Sequence, residues 1–282
     1  MTDARSPDQE MSRAPAGSQR WERARGALFG RTENRAQPNG FGLPEALIGL
    51  AIGYGLALFA VSAYSSVSHS PSGRVTFGET IVSLAGLWVG FVGAAVVASR
   101  IRVPNLVRGT GSVRKDYGLS VHPLRDVPLG LVVGVASQFL LVPLLELPLR
   151  PFVPNLSQRL GHPTRQLLGP AATGNSAKLV LIAVLVCVGS PIVEELFFRG
   201  LVLRALLGTL RDLGPRAAPL LSIVITGLVF GLVHFEALQF LGLAGFGMVL
   251  GLLAWRTGRL GPCIFAHLAF NATTVIAYVA TH

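Results

Sequence analysis

Residues 189 to 200 read Gly189-Ser190-Pro191-Ile192-Val193-Glu194-Glu195-Leu196-Phe197-Phe198-Arg199-Gly200, two adjacent carboxylates and an arginine between the apolar runs 179–188 and 201–207. In lipid each unpaired charge of this kind costs about 3 kcal/mol or more. A lipid-spanning segment is almost obliged to be helical, and in a helix Glu195 and Arg199 lie four apart on one face, acid before base, where they neutralise each other. Glu194 is turned about 100° away and has no partner in its own helix, which makes it a candidate general base. Pro191 withdraws one backbone donor and frees the carbonyl of Cys187, so a kink is predicted where the acids begin. A structural ion cluster between helices is the competing reading of these three side chains; two acids and an arginine together favour function over it.

Working outward, the composition places this stretch in a membrane. The chain has 282 residues, 51% of them hydrophobic and only 13% charged, with a mean hydropathy of +0.56; soluble domains carry about 25% charged residues. Apolar stretches long enough to span a bilayer occur at 42–66, 77–99, 127–149, 178–198 with a helical continuation toward 210, 217–235, 238–255 and 260–280, each near the ~20 residues a span needs. The expected fold is therefore all-α: a polytopic transmembrane helical bundle of about seven spans over residues 42–282. Residues 1–41 hold seven arginines, five acids and no apolar run. They read as a disordered cytoplasmic tail rather than a cleavable signal peptide or a nucleic-acid arm.

The net charge of +10 is distributed by side. With the tail inside, cytoplasmic segments hold eighteen Lys and Arg and the opposite segments hold five, Arg74, Arg150, Arg159, Arg165 and Lys178; this predicts a cytoplasmic N-terminus and an external C-terminus. Glu45, Glu79 and Glu146 fall near predicted helix ends and read as interfacial edge residues. The Pro- and Gly-rich segment 151–176, with Leu156, Leu160, Leu167 and Leu168, reads as a partly amphipathic surface element lying on the bilayer. Cys187 and Cys263 lie in separate apolar segments and read as small buried hydrophobes.

Two further pairs follow the acids. Phe230 and His234 are four apart, as are His267 and Asn271, which puts each pair on one helical face. The chain has six histidines, and His234 and His267 are the two inside apolar stretches. Folding back at Gly214-Pro215, 20 residues after Glu194 and 19 before His234, brings those two to one depth. His267 lies close to its own turn at Gly261-Pro262, so a shared depth for all three requires the helix pair around Gly214 to project beyond the membrane.

Glu194-Glu195-x-x-x-Arg199, Phe230-x-x-x-His234 and His267-x-x-x-Asn271, in this order on successive apolar segments, resemble the three motifs of the CPBP family, the CAAX protease and bacteriocin-processing (Abi) intramembrane endopeptidases, also called type II CAAX prenyl endopeptidases. The resemblance covers roughly residues 178–280. It implies an intramembrane peptidase in which Glu194 activates water together with His234, while His267 and Asn271 stabilise the oxyanion; Glu195, Arg199 and Phe230 support the site. Within the resemblance a zinc ion held by Glu194, His234 and His267 is an alternative to a metal-free glutamate-activated water, and the metal-free form is preferred because no His-Glu-x-x-His helix is present. The implied partners are a membrane-associated peptide or protein substrate and the lipid bilayer, with no nucleic acid, in a multi-pass protein of a bacterial plasma membrane. The rival reading is a non-catalytic scaffold or a proton-coupled carrier using Glu194 and His234 as a relay; no second copy of the acid pair occurs in residues 42–150 to suggest an inverted repeat.

Overall fold

A computed structural model of the chain describes residues 40–69, 75–103, 106–107, 109–172 and 176–281. The expected tail, apart from its last residues, lies outside them. Seven helices are long and apolar enough to cross a membrane: α1 (Leu43–Ser68), α2 (Phe77–Arg100), α4 (Pro123–Leu149), α7 (Ser176–Thr209), α8 (counted as Gly214–Leu232 without its short lead-in from Arg211), α9 (Phe240–Thr257) and α10 (Gly261–Thr281). Short elements join them: α3 (Val113–Tyr117) after α2, and α5 (Leu156–Leu160) and α6 (His162–Ala172) between α4 and α7. A two-residue antiparallel ladder, Arg102–Val103 with Leu106–Val107, is the one departure from an all-helical chain among the described residues. Large apolar side chains such as Leu58, Phe59, Val97, Phe139 and Leu140 are exposed on the outside of the bundle, as a lipid-facing surface requires.

The helix ends follow from local chemistry. Thr76 and Glu79 close a capping box at the start of α2, with the Thr76 N–H donating to Glu79 Oε2 at 2.8 Å, and Glu45 accepts the Gly42 N–H at 3.0 Å at the start of α1. Both acids thus satisfy orphan N–H groups at the ends of spans. Helices α1 and α2 form a hairpin in which Gly90 rests on the backbone at Gly53, a spacing that a Cβ would prevent. Phe91 of this hairpin stacks on Phe197 of α7, with centroids 4.0 Å apart, and so ties the first two spans to the acid-bearing helix.

Helix α9 is the most enclosed span, with nine of its 18 residues buried. It packs between α8, through Gly227, Gly231 and Gly247, and α10. Helix α4 runs alongside α10 in the same direction. Gly130 and Gly134 of α4 touch the α10 backbone at Pro262 and Ala266.

Two features of α7 were not predicted from spacing. The chain widens into a π turn over Leu185–Gly189, immediately before Pro191, with the Ser190 N–H bonding to the Leu185 carbonyl five residues back; this absorbs the donor that proline lacks. A second π stretch, Leu196–Val202, begins directly after Glu195. Helix α7 also outruns the turn between α9 and α10: Glu195 meets His267, Arg204 donates to the Gly258 carbonyl at 3.2 Å, and the chain then continues past that level to Thr209 before turning. The glutamates and His267 therefore share a depth because the turn at Gly214 extends beyond the one at Gly258–Leu260.

Candidate active site

Three helices and one turn bring the polar residues together. Glu195 and Arg199 are both fully buried and form an ion pair, Arg199 Nη1 to Glu195 Oε1, at 2.8 Å. The other arm of the guanidinium donates to the Gly247 carbonyl at 3.1 Å, and the guanidinium carbon lies 4.4 Å from the centre of the Phe230 ring, a cation–π contact. Arg199 is thus held by α7, α8 and α9 together.

The same Glu195 oxygen lies 2.8 Å from His267 Nδ1. A carboxylate accepts, so Nδ1 carries the hydrogen and Nε2 is turned the other way. There it faces Glu194 Oε2 at 3.9 Å. Among the described residues that Glu194 oxygen is buried and has no hydrogen-bond partner. The two acids therefore have different surroundings: Glu195 is enclosed and bound to Arg199 and His267, whereas Glu194 reaches a cavity.

His234 is not inside a helix, as the four-residue spacing had suggested. Helix α8 ends at Leu232, and His234 lies in the following turn, closed by Phe235 in the left-handed region at φ 55°. Its Nδ1 lies 2.6 Å from the Phe230 carbonyl, an orphan acceptor at the helix C-terminus, so here too Nδ1 is the donor and Nε2 is left for the cavity. The turn is fastened from α1: the Tyr54 hydroxyl donates to the Val233 carbonyl at 2.6 Å, and the Tyr54 ring meets Phe235 edge-on at 5.6 Å. Phe230 lies at the centre of the site, its ring 4.7 Å from that of His234 and 5.6 Å from that of His267.

Asn271, one turn after His267, donates through Nδ2 to the Val186 carbonyl at 2.9 Å. That carbonyl lies in the π turn before Pro191. The distortion in α7 thus supplies the acceptor that orients the asparagine.

Glu194, His234, His267 and Asn271 all line one cavity of about 550 Å³. Its roof includes Leu160, Gly161, Pro163, Thr164, Leu167 and Leu168 of α5, α6 and the link between them, so the element expected to turn its apolar side to the bilayer turns it to the protein instead. Leu156 and Leu168 are buried, while Leu160, Leu167 and Leu168 line the cavity; the apolar stripe faces the protein because Leu167 and Leu168 join a cluster with Ile182 of α7, Val275 of α10 and Phe77 and Ile81 of α2. Gln239 pins this roof by donating to the Leu160 carbonyl at 2.7 Å. Glu146, expected at an interfacial edge, is instead on the cavity wall with Gln138 and Glu236. The sequence signal for Gln138 was available: it is the only amide within the apolar run 127–149.

No three His, Cys, Asp or Glu side chains among the described residues are arranged to hold an ion. Both imidazoles engage protein acceptors through Nδ1, which leaves each Nε2 towards the cavity; Glu194, His234 and His267 are not gathered into a three-ligand group in this arrangement.

No curated protein and no solved structure matches the chain. A family model does: residues 176–273, about a third of the chain, match the one described as Type II CAAX prenyl endopeptidase Rce1-like. The match begins at the first residue of α7 and ends within α10, so it spans all three motifs. Glu194, Glu195, Arg199, Phe230, His234, His267 and Asn271 therefore all lie in the stretch that is similar to the type II CAAX prenyl endopeptidases.

Proposed function

We propose that the protein is an intramembrane endopeptidase that hydrolyses a membrane-associated peptide of CAAX type, with Glu194 as the base. The observation that carries this reading is the unpartnered Glu194 oxygen in the cavity, 3.9 Å from His267 Nε2. The attacking water is assigned to the cavity side of the Glu194 carboxylate, towards His267 Nε2. Glu194 takes one of its protons as the oxygen attacks the peptide carbonyl, and returns that proton to the departing amine nitrogen as the C–N bond breaks, so the water ends as the hydroxyl of the new carboxylic acid, whose proton is then lost to solvent, and as the amine hydrogen. The Asn271 amide has a second hydrogen beyond the one given to Val186, and this one is suited to the developing oxyanion. Arg199 and Glu195 hold His267 in one tautomer and do not touch the substrate.

The carrier reading needs a proton path along the same groups. Incubating the protein in liposomes with a farnesylated CAAX peptide in ¹⁸O-water separates the two. Hydrolysis gives a shortened peptide with one ¹⁸O in its new carboxyl terminus; an intact peptide together with dissipation of an imposed pH gradient would favour the carrier. Orientation is part of the proposal and rests on the charge asymmetry between the two ends. A cysteine replacing Lys115 is expected to be shielded from an impermeant thiol reagent outside, and one replacing Ser176 to react.

A further inference from the structure

Helix α4 contributes one polar side chain to the cavity midway along the span, and its backbone is distorted there. The helix opens into a π turn at Ser137–Leu141. Such single-turn bulges re-aim side chains and are frequent at functional sites. Here Phe139 and Leu140 face outward, while Gln138 lines the cavity. Its Oε1 is buried and has no hydrogen-bond partner among the described residues. A buried amide oxygen left unsatisfied in a water-poor interior is costly, and although the π turn packs on α10, no group of that helix hydrogen-bonds to this oxygen.

The register of that contact fixes the depth of Gln138. The two helices run in the same direction, and Gly134 touches Ala266 and Ala269. One turn beyond Gly134 is Gln138, and one turn beyond His267 is Asn271. Both of these amides line the same cavity, on walls contributed by different helices.

We infer that Gln138 is a substrate-binding residue, whose side-chain carbonyl accepts a backbone N–H of an extended peptide and holds that peptide across the cavity opposite Asn271. An extended peptide presents donors and acceptors along its edge that must be satisfied wherever water is scarce. A primary amide offers one of each, so it suits this task independently of the peptide's side chains. The inference rests on the reading of the cavity as a peptide site, but it does not require that the peptide be cut.

The test is therefore made on binding. The Glu194→Gln protein in nanodiscs is titrated with the farnesylated CAAX peptide and with a series of its backbone esters, each replacing one amide N–H by oxygen. One ester position is expected to bind roughly five- to tenfold more weakly, the effect of losing one hydrogen bond. Adding Gln138→Met should abolish that difference, whereas Gln138→Glu, which keeps the accepting oxygen, should retain it. Gln138→Asn, which withdraws the group by one methylene, serves the same comparison if the methionine variant does not fold. Failure to bind the peptide, or an ester profile identical with glutamine and methionine at 138, overturns the inference. Cleavage by the unmodified protein is read separately; binding with the expected ester profile but without ¹⁸O incorporation would leave Gln138 in place and remove the hydrolytic assignment.

Discussion

At the end of the bundle where α2 finishes and α10 begins, Asp116 receives the Ser99 hydroxyl on Oδ2 at 2.5 Å and the Thr110 N–H on Oδ1 at 2.9 Å, and Asp126 receives Arg259 at 2.7 Å and the His122 N–H at 2.8 Å. Midway along the spans, Glu194 has an oxygen with no partner among the described residues. All three acids are largely removed from solvent, yet only Glu194 lines the cavity. Asp116 and Asp126, which bind helix ends and loops together, have both oxygens occupied; Glu195 also has an oxygen, Oε2, without a partner among the described residues, but its Oε1 is bound to both Arg199 and His267. An unpartnered oxygen on a cavity-lining carboxylate that is not paired to an arginine, more than burial or occupancy alone, separates the acid suited to chemistry from those that hold this fold.

The comparison can be broken most forcefully at Glu195, which belongs with the structural acids although it adjoins Glu194. Glu195→Gln strands Arg199 in a fully buried site and releases His267, so a loss of about 3 to 5 kcal/mol is expected for the broken pair. Thermal melting of the purified variant measures it, and a melt equal to that of the unmodified protein would place Glu195 outside the scaffold. Next in size is Asn271→Ala. If its amide meets the oxyanion, kcat and kcat/KM should fall together by about 10²- to 10³-fold with peptide affinity unchanged; a change confined to KM would assign Asn271 to binding alone.

The structural end provides the control. Arg259 is partly exposed where it meets Asp126, so Asp126→Asn is expected to cost only about 1 to 2 kcal/mol and to leave cleavage per folded molecule unchanged. A loss of turnover without a loss of stability would blur the distinction between the two ends. Smallest of all should be the effect of a strong chelator, since no step of the account uses a metal. Metal analysis finding about one zinc per active chain, lost in His267→Ala, would contradict it.

Much of this arrangement was legible in the sequence because it rests on spacing. Apolar run lengths marked the seven spans, and the four-residue separation of Glu195 and Arg199 anticipated a contact that the structure places at 2.8 Å. What was hidden depends on contacts between distant segments. That the leucines of α5 and α6 face the protein is decided by α2, α7 and α10, against which Leu167 and Leu168 pack, and by Gln239 holding Leu160; amphipathic spacing alone cannot distinguish a protein face from a lipid face. Glu146 was placed at an edge by its position near a helix end, but the roof formed by α5 and α6 lies over that end. The helix-interior position expected for His234 failed because Phe-x-x-x-His spacing is equally compatible with a terminal turn in which the ring closes on the Phe230 carbonyl. The π turns at Leu185–Gly189 and Ser137–Leu141 have no strong sequence signature beyond Pro191.

The most direct test of the central claim is a paired measurement on Glu194→Gln: its thermal melt beside its rate of cleavage of the farnesylated CAAX peptide. The substitution keeps the volume and removes the proton acceptor. The account predicts a melt close to that of the unmodified protein together with cleavage reduced to background. A Glu194→Gln protein that still cleaves the peptide would contradict it.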